Sequence, residues 1–480
     1  MISSPARNRT KIVATVGPAC DSVEMLTKLI EHGVNVFRIN TAHGDRLTHE
    51  RAVANIREAS VRTGRVVGIL VDLAGPKIRL GELFENPTEC QPGERFRFVR
   101  GERSSAANEL TSNYERLIDE LKPGDRVMLA DGLVSMNVVE KNDDGAVCEV
   151  TSSGTIRSRQ GINLPGAELS VPALTDEDLK HASWAADLEL DFLGLSFVRC
   201  AADIERLRAA LADHPAAPFI VAKIEKSESL DDLDAIVSAS DGVMVARGDL
   251  GVEIDVAETP VAQKRIIETC RRFEKPVIVA TQMLESMHHS RRPTRAEVSD
   301  VANAILDGAD ACMLSGETAI GDYPCEVVDT MRRIMEHTEP MLKKRTVPRR
   351  PETSGAVLPI TSAVVYGASQ IADQLEAKLL VIATRTGGTA QSAAMRRSRI
   401  LTIGLSNNSR TLRRMCLLWG IMPLAGVPVD NPPELRRLIE QWGQDAKLLE
   451  NGDHVVYVTG TGMVQRAHNL IVVHQVSGLN

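Results

Sequence analysis

Short runs of apolar, largely β-branched residues recur along the chain with amphipathic segments between them: KIVATVG from residue 11, VNVFRIN from 34, VVGILVDL from 66, FLGLSF from 192, FIVAKIE from 219, GVMVARG from 242, PVIVATQ from 276 and ACMLSGE from 311. Runs that are apolar on both faces suit parallel strands covered by helices. Most spacings are about 23 to 35 residues, the length of one strand-helix unit. Eight such units predict an α/β fold built on a TIM (β/α)8 barrel.

One interval is too long for a single connection, because 72 to 192 holds far more chain than a strand-helix link needs. Within it RFRFVRG, RVMLADGLVSMNVVEK and GAVCEVTSSG alternate and are broken by Asp-Gly and Asn-Asp-Asp-Gly turns, which predicts a small inserted β-barrel domain. The stretch LTDEDLKHASWAADL then predicts a helix capped by Thr175, with acidic residues in its first turn. A Pro- and Arg-rich break, KKRTVPRRPETSG, separates the barrel from a C-terminal α/β region in which AKLLVIATRTGGTA, ILTIGLS and DHVVYVTG read as strands feeding helices. The expected organisation is barrel over 1–73 and 171–342, inserted β domain over 74–170, and C-terminal domain over 343–480.

Composition narrows the chemistry. A net charge of -8 gives no general attraction to nucleic acid or an anionic membrane, so any phosphate chemistry is local. The N-terminal stretch lacks an apolar signal segment and no run approaches the length of a membrane span, so a cytoplasmic protein is expected. The eight cysteines show no CxxC pair or metal-ligand spacing and read as reduced core thiols.

In such a barrel chemistry gathers where strands end, and these strands end in unusual residues. They are Arg38, Asn40 and His43; Asp72; Lys223 and Glu225; Arg247 and Asp249; Thr281 and Gln282; Ser315 and Glu317. Lys223 and Glu225, two apart, point to the same side of a strand. With Asp249 from the neighbouring strand, Glu225 forms a carboxylate pair for a hard dication, Mg2+ before Mn2+ because no His or Cys accompanies them. A buried Lys-Glu bridge that only holds the rim is the structural alternative. In RGDLG, Gly248 permits close backbone approach, and a helix starting there would, with Arg247, favour a carboxylate or phosphate. Together these residues describe a pocket for a substrate with both groups, and phosphoryl transfer asks little more of a protein than positioning and charge neutralisation.

At these residues, and in order along nearly the whole length, the chain resembles the pyruvate kinase family. The matching stretches include TKIVATVGPAC, FRINTAHG, DLAGPKIRLGE, GINLPGAELSVPAL, VAKIEKSE, DGVMVARGDLGVEI, VIVATQMLESM and RRPTRAEVSDVANAILDGADACMLSGETA. The resemblance implies transfer of a phosphoryl group from phosphoenolpyruvate to ADP. It implies Lys223, Thr281, Arg38 and Ser315 as catalytic, with Gly248 and Asp249 amides for the substrate carboxylate and Glu225 with Asp249 for the metal. Asn40, His43 and Arg79 would face the nucleotide, the inserted domain would close as a lid, and the assembly would be a homotetramer. Two competing expectations are a metal-dependent lyase acting on keto-acid enolates and a silent regulatory relative; Lys223 and Arg79 speak against the first, the intact catalytic set against the second.

Three departures stand out. Ala42 and Leu73 replace two oxygen-bearing residues that hold potassium in many relatives, while Lys77 stands where potassium-dependent members carry Glu. An ammonium carries the same charge as the ion, so Lys77, with Asp72, is expected to substitute for K+. Gln160 stands where a nucleotide-directed Lys is common in relatives, so either Arg157 or Arg159 compensates or nucleotide affinity is lower. In the C-terminal domain TRTGGTA looks like a phosphate-effector loop with Arg385, Thr386, Gly387, Gly388 and Thr389, joined by Arg396 and Arg397; a tight glycine turn and a solvated basic face are the plain alternatives.

Overall fold

The computed structural model describes residues 8–130, 132–167, 170–342, 357–460 and 468–477. The break expected at 343–355 lies outside these residues. All eight apolar runs form strands: β1 (Lys11–Thr15), β2 (Val36–Asn40), β3 (Gly68–Asp72), β4 (Phe192–Leu195), β5 (Phe219–Ile224), β6 (Gly242–Ala246), β7 (Val277–Ala280) and β8 (Ala311–Leu314). They close into one barrel in sequence order, every pair parallel, with β3 pairing β4 across the long insertion and β8 pairing β1.

Alternation along each strand sorts the side chains. Val13, Val36, Leu70, Phe192, Val221, Met244, Ile278 and Ala311 fill the barrel interior, while Ile12, Phe37, Ile69, Val71, Val243 and Val279 join the layer under the helices. Two residues on from an interior position the same side of the strand is again interior, so Thr15, Arg38, Asp72, Lys223 and Ser315 share that inward parity at the strand ends. Thr175 caps helix Asp176–Asp187 in a reciprocal box with Asp178, as the sequence predicts.

The insertion holds a six-stranded sheet around the hairpin Val134–Asn142/Gly145–Ser152, where Asn142 pairs with Gly145 across the expected turn. The C-terminal sheet has five strands; Ile421–Pro423 and the antiparallel Leu470–Gln475 extend the three that the sequence shows. This domain plugs the lower end of the barrel: Cys416 and Leu417 complete the interior cluster. Arg413 pairs with Asp191 at 2.8 Å and Arg397 with Asp310 at 3.0 Å. The same aspartates cap neighbouring strands, accepting from the Ile69 and Val277 amides. Arg396, also buried, faces Glu274 at 3.7 Å and bonds Ser362. Neither Arg396 nor Arg397 is a solvated face; both bind the domain to buried barrel carboxylates, where an unpaired charge would be costly. Seven of the cysteines are buried or half-buried as expected, and Cys200 is exposed.

Candidate active site

At the carboxyl ends of the strands one cation organises the mouth. Lys223 Nζ donates to Ser196 Oγ at 2.7 Å and pairs with Glu225 Oε1 at 2.8 Å and Asp72 Oδ1 at 3.3 Å. Asp72 Oδ2 accepts from Arg38 Nε at 2.8 Å and also from its Nη2, and Arg38 reaches Thr15 Oγ1 at 3.3 Å. Space for Asp72 comes from Gly194, where a Cβ would stand 2.5 Å from Oδ1. Burial alone would lower the Lys223 pKa, but Asp72 and Glu225 outweigh it and hold the ammonium charged. For Asp72 burial is likewise overcome by Lys223 and Arg38, so its carboxyl stays below the usual range.

Glu225 is 1% exposed, and its second oxygen accepts from the Phe197 amide at 2.7 Å. Burial pushes its pKa up, Lys223 opposes, and the Asp249 carboxylate adds to the rise. Two acids close enough to repel, one of them buried, form a donor set that a hard dication suits. The Lys-Glu bridge is also present, and the Phe197 amide takes the other oxygen; bridge and metal pair are compatible because each carboxylate oxygen has two lone pairs.

Thr281 follows β7 with φ +68 and Gln282 with φ +52, a left-handed pair that costs about 1–3 kcal/mol per residue. The turn carries the Thr281 hydroxyl to the Gly248 amide, which donates to it at 2.8 Å. Arg247 begins the helix Arg247–Glu253, but its side chain does not join the anion site as expected. It turns to Asp300 at 2.7 Å and donates to the Thr281 carbonyl at 2.9 Å, because the strained turn leaves that carbonyl pointing at it. Arg247 therefore braces the turn that carries Thr281. Arg247→Lys is expected to lower kcat by about 10- to 100-fold with little change in KM, since small misplacements at a reacting centre cost that much; steady-state kinetics checks it, and an altered KM with unchanged kcat contradicts it.

The remaining expected residues spread over the mouth and the insertion. Ser315 donates its amide to Glu317 Oε2 at 2.6 Å. Asn40 accepts from the Ala42 amide at 3.2 Å, and His43 is exposed beside it. Arg79 sits in the insertion, its guanidinium on the Arg159 carbonyl at 3.2 Å. Arg159 is itself paired with Glu82 at 2.7 Å and Gln160 closes a turn onto the Arg157 amide, so of the two compensating arginines the structure engages Arg159 elsewhere. Lys77 is not paired with Asp72, whose oxygens are taken by Arg38 and Lys223. It lies in the cleft between barrel and insertion, with Ile78, Ile162, Leu164, Phe197 and Lys226. In TRTGGTA, Gly387 (φ +95) makes the tight turn before helix Gly388–Met395, and buried Thr389 bonds His468 at 2.9 Å. Arg385 is exposed, its carbonyl accepting from Thr411.

Ser196 and Thr15 join the site without having been expected there. A signal for them exists in the sequence: both end strands at interior parity, as Lys223 does.

A parallel barrel with a buried cation and two acids at its mouth is the setting of an enzyme of the phosphotransferase kind. The pyruvate kinase barrel-domain family matches residues 7–328 and its alpha/beta domain 362–474. The chain is 40% identical over 467 residues to pyruvate kinase of Corynebacterium glutamicum, covering 97% of each. It is 39% identical over 477 residues to that of Geobacillus stearothermophilus, covering 98% of this chain and 81% of the relative. A crystal structure of a pyruvate kinase from Cryptosporidium parvum superposes with a TM-score of 0.88 at 34% identity, covering 98% of this chain and 96% of that one. The chain belongs to the pyruvate kinase family.

Proposed function

We propose that the chain transfers the phosphoryl group of phosphoenolpyruvate to ADP, giving pyruvate and ATP, with Lys223, Arg38, Thr281 and Ser315 as its catalytic set. The observation that carries this reading is the Lys223 ammonium, held charged by Asp72 and Glu225 at the barrel mouth. There it offsets the negative charge of a phosphoryl group in transit, with Arg38 beside it. Glu225 and Asp249 hold Mg2+, with Mn2+ able to replace it; when bound, the ion neutralises substrate oxygens as charge shifts. The substrate carboxylate takes the place of the Thr281 hydroxyl at the Gly248 amide, which frees that hydroxyl towards the enolate face. Asn40, His43 and Arg79 contact the nucleotide. The insertion, 74–170, closes over the barrel as a lid and excludes water. The C-terminal domain, 343–480, carries an effector loop at Arg385–Thr389 for a phosphorylated ligand, and the enzyme works as a cytoplasmic homotetramer. Among the described residues no helix is long and apolar enough to cross a membrane.

A coupled assay tests the reaction: pyruvate forms with phosphoenolpyruvate, ADP and Mg2+ together, whereas formation without ADP would point to a hydrolase or lyase. Full activity is expected in potassium-free buffer. Lys77 then supplies the charge when the lid brings its cleft onto the mouth, since buried Leu73 and exposed Ala42 offer no side-chain oxygen to an ion. Lys77→Glu should lose most activity and regain only part of it with K+. Strong stimulation of the parent enzyme by K+ contradicts the idea.

A further inference from the structure

The turns after β7 and β8 assemble a second set of metal-ligating side chains that the phosphoryl-transfer reading leaves unused. Glu285 and His288 lie on the 3-10 turn Glu285–His288, and Glu317 on the short helix Gly316–Ala319. One ligand atom from each lies within 4.8 Å of the other two. His288 Nε2 is enclosed and makes no hydrogen bond; Glu285 Oε1 is its acidic neighbour at 3.7 Å. The ring is seated against Gly316, where a Cβ would stand 2.4 Å from Nε2, so glycine is what lets the imidazole face the Glu317 turn. Glu317 is 1% exposed and is held by backbone amides, Leu284 at 3.2 Å and Ser315 at 2.6 Å. The charged group bearing on it is another acid, Glu285. The Ser315 hydroxyl beside it is also enclosed without a hydrogen-bond partner. A buried carboxylate faced by a second acid and by an imidazole nitrogen without a hydrogen-bond partner is unfavourable by itself, and a dication resolves all three at once.

We propose that Glu285, His288 and Glu317 bind a transition-metal dication, zinc in the first place, at a site separate from the Glu225–Asp249 pair. The imidazole selects zinc over magnesium. Tetrahedral bonds of about 2.0–2.2 Å place two ligands on one ion about 3.3–3.6 Å apart; Glu285 Oε1 and His288 Nε2, at 3.7 Å, already stand near that spacing, and side-chain adjustment on the order of 1 Å closes the set. Three protein ligands leave an open position for water. Because Glu317 also receives the Ser315 amide, the ion shares a carboxylate with the catalytic mouth.

The test is Zn2+ titration by calorimetry in saturating Mg2+, together with anomalous diffraction at the zinc edge from crystals soaked under the same conditions. The parent enzyme is expected to take one Zn2+ per chain, with anomalous density among the three side chains. His288→Ala should weaken binding by about tenfold or more, and Glu285→Gln, at a surface position that does not threaten folding, should also weaken it. Anomalous density elsewhere only, no zinc uptake, or unchanged affinity in both variants overturns the proposal.

Discussion

Lys223→Met is expected to lower kcat/KM for pyruvate formation by about 10³-fold or more, because it removes the donor aimed at the charge that develops during transfer. The substitution also leaves Asp72 and Glu225 as buried carboxylates, with Arg38 the remaining guanidinium on Asp72. Breaking a buried pair in this way costs about 3–5 kcal/mol, so the melting temperature should fall as well. Lys223→Arg separates the two effects. It keeps a charge and recovers much of the stability, yet a planar fork cannot take the place of a point ammonium between Ser196, Asp72 and Glu225, so the rate stays low. Thermal unfolding beside the coupled assay provides both readouts. A Met variant with more than a tenth of parental activity would remove Lys223 from the chemistry.

Glu225→Gln should leave the fold intact and lower kcat/KM by about 10²- to 10³-fold, with a raised Mg2+ requirement. The amide has the shape of the carboxyl, can still accept from the Phe197 amide, and no longer repels Asp249. Lys223 retains Asp72 as its counter-ion. The loss therefore falls on metal affinity, which the Mn2+ electron paramagnetic resonance signal measures directly. Unchanged Mn2+ binding would reduce the Lys223–Glu225 contact to a bridge that braces the rim.

Much of this site is legible in the amino-acid sequence, because a barrel strand announces itself as an apolar run and its carboxyl end is where polar residues interrupt that run. Arg38, Asp72, Lys223 and Glu225 stand out for that reason, and the alternation of each strand places them on one side. The parity that marks Lys223 equally marks Ser196 and Thr15, small hydroxyl residues that attract less notice than charges. Arg247 misleads for a different reason. Its position at a helix start favours an anion, but a side chain that long can turn either way, and Asp300, 53 residues on, decides the direction. Arg396 and Arg397 read as a solvated pair because their acids, Glu274 and Asp310, belong to another domain.

By itself the sequence determined the eight barrel strands, the insertion, the helix cap at Thr175 and the residue types at the strand ends, all of which follow from local periodicity and hydrogen-bonding preference. Tertiary structure alone decided which charges neutralise each other: Asp72 with Arg38 and Lys223 rather than Lys77, the Gly248 amide with Thr281, and the C-terminal arginines with the floor of the barrel. Those choices depend on distances between elements far apart in the chain, and Coulomb attraction inside a low-dielectric interior is steep enough in distance that only the folded arrangement fixes them.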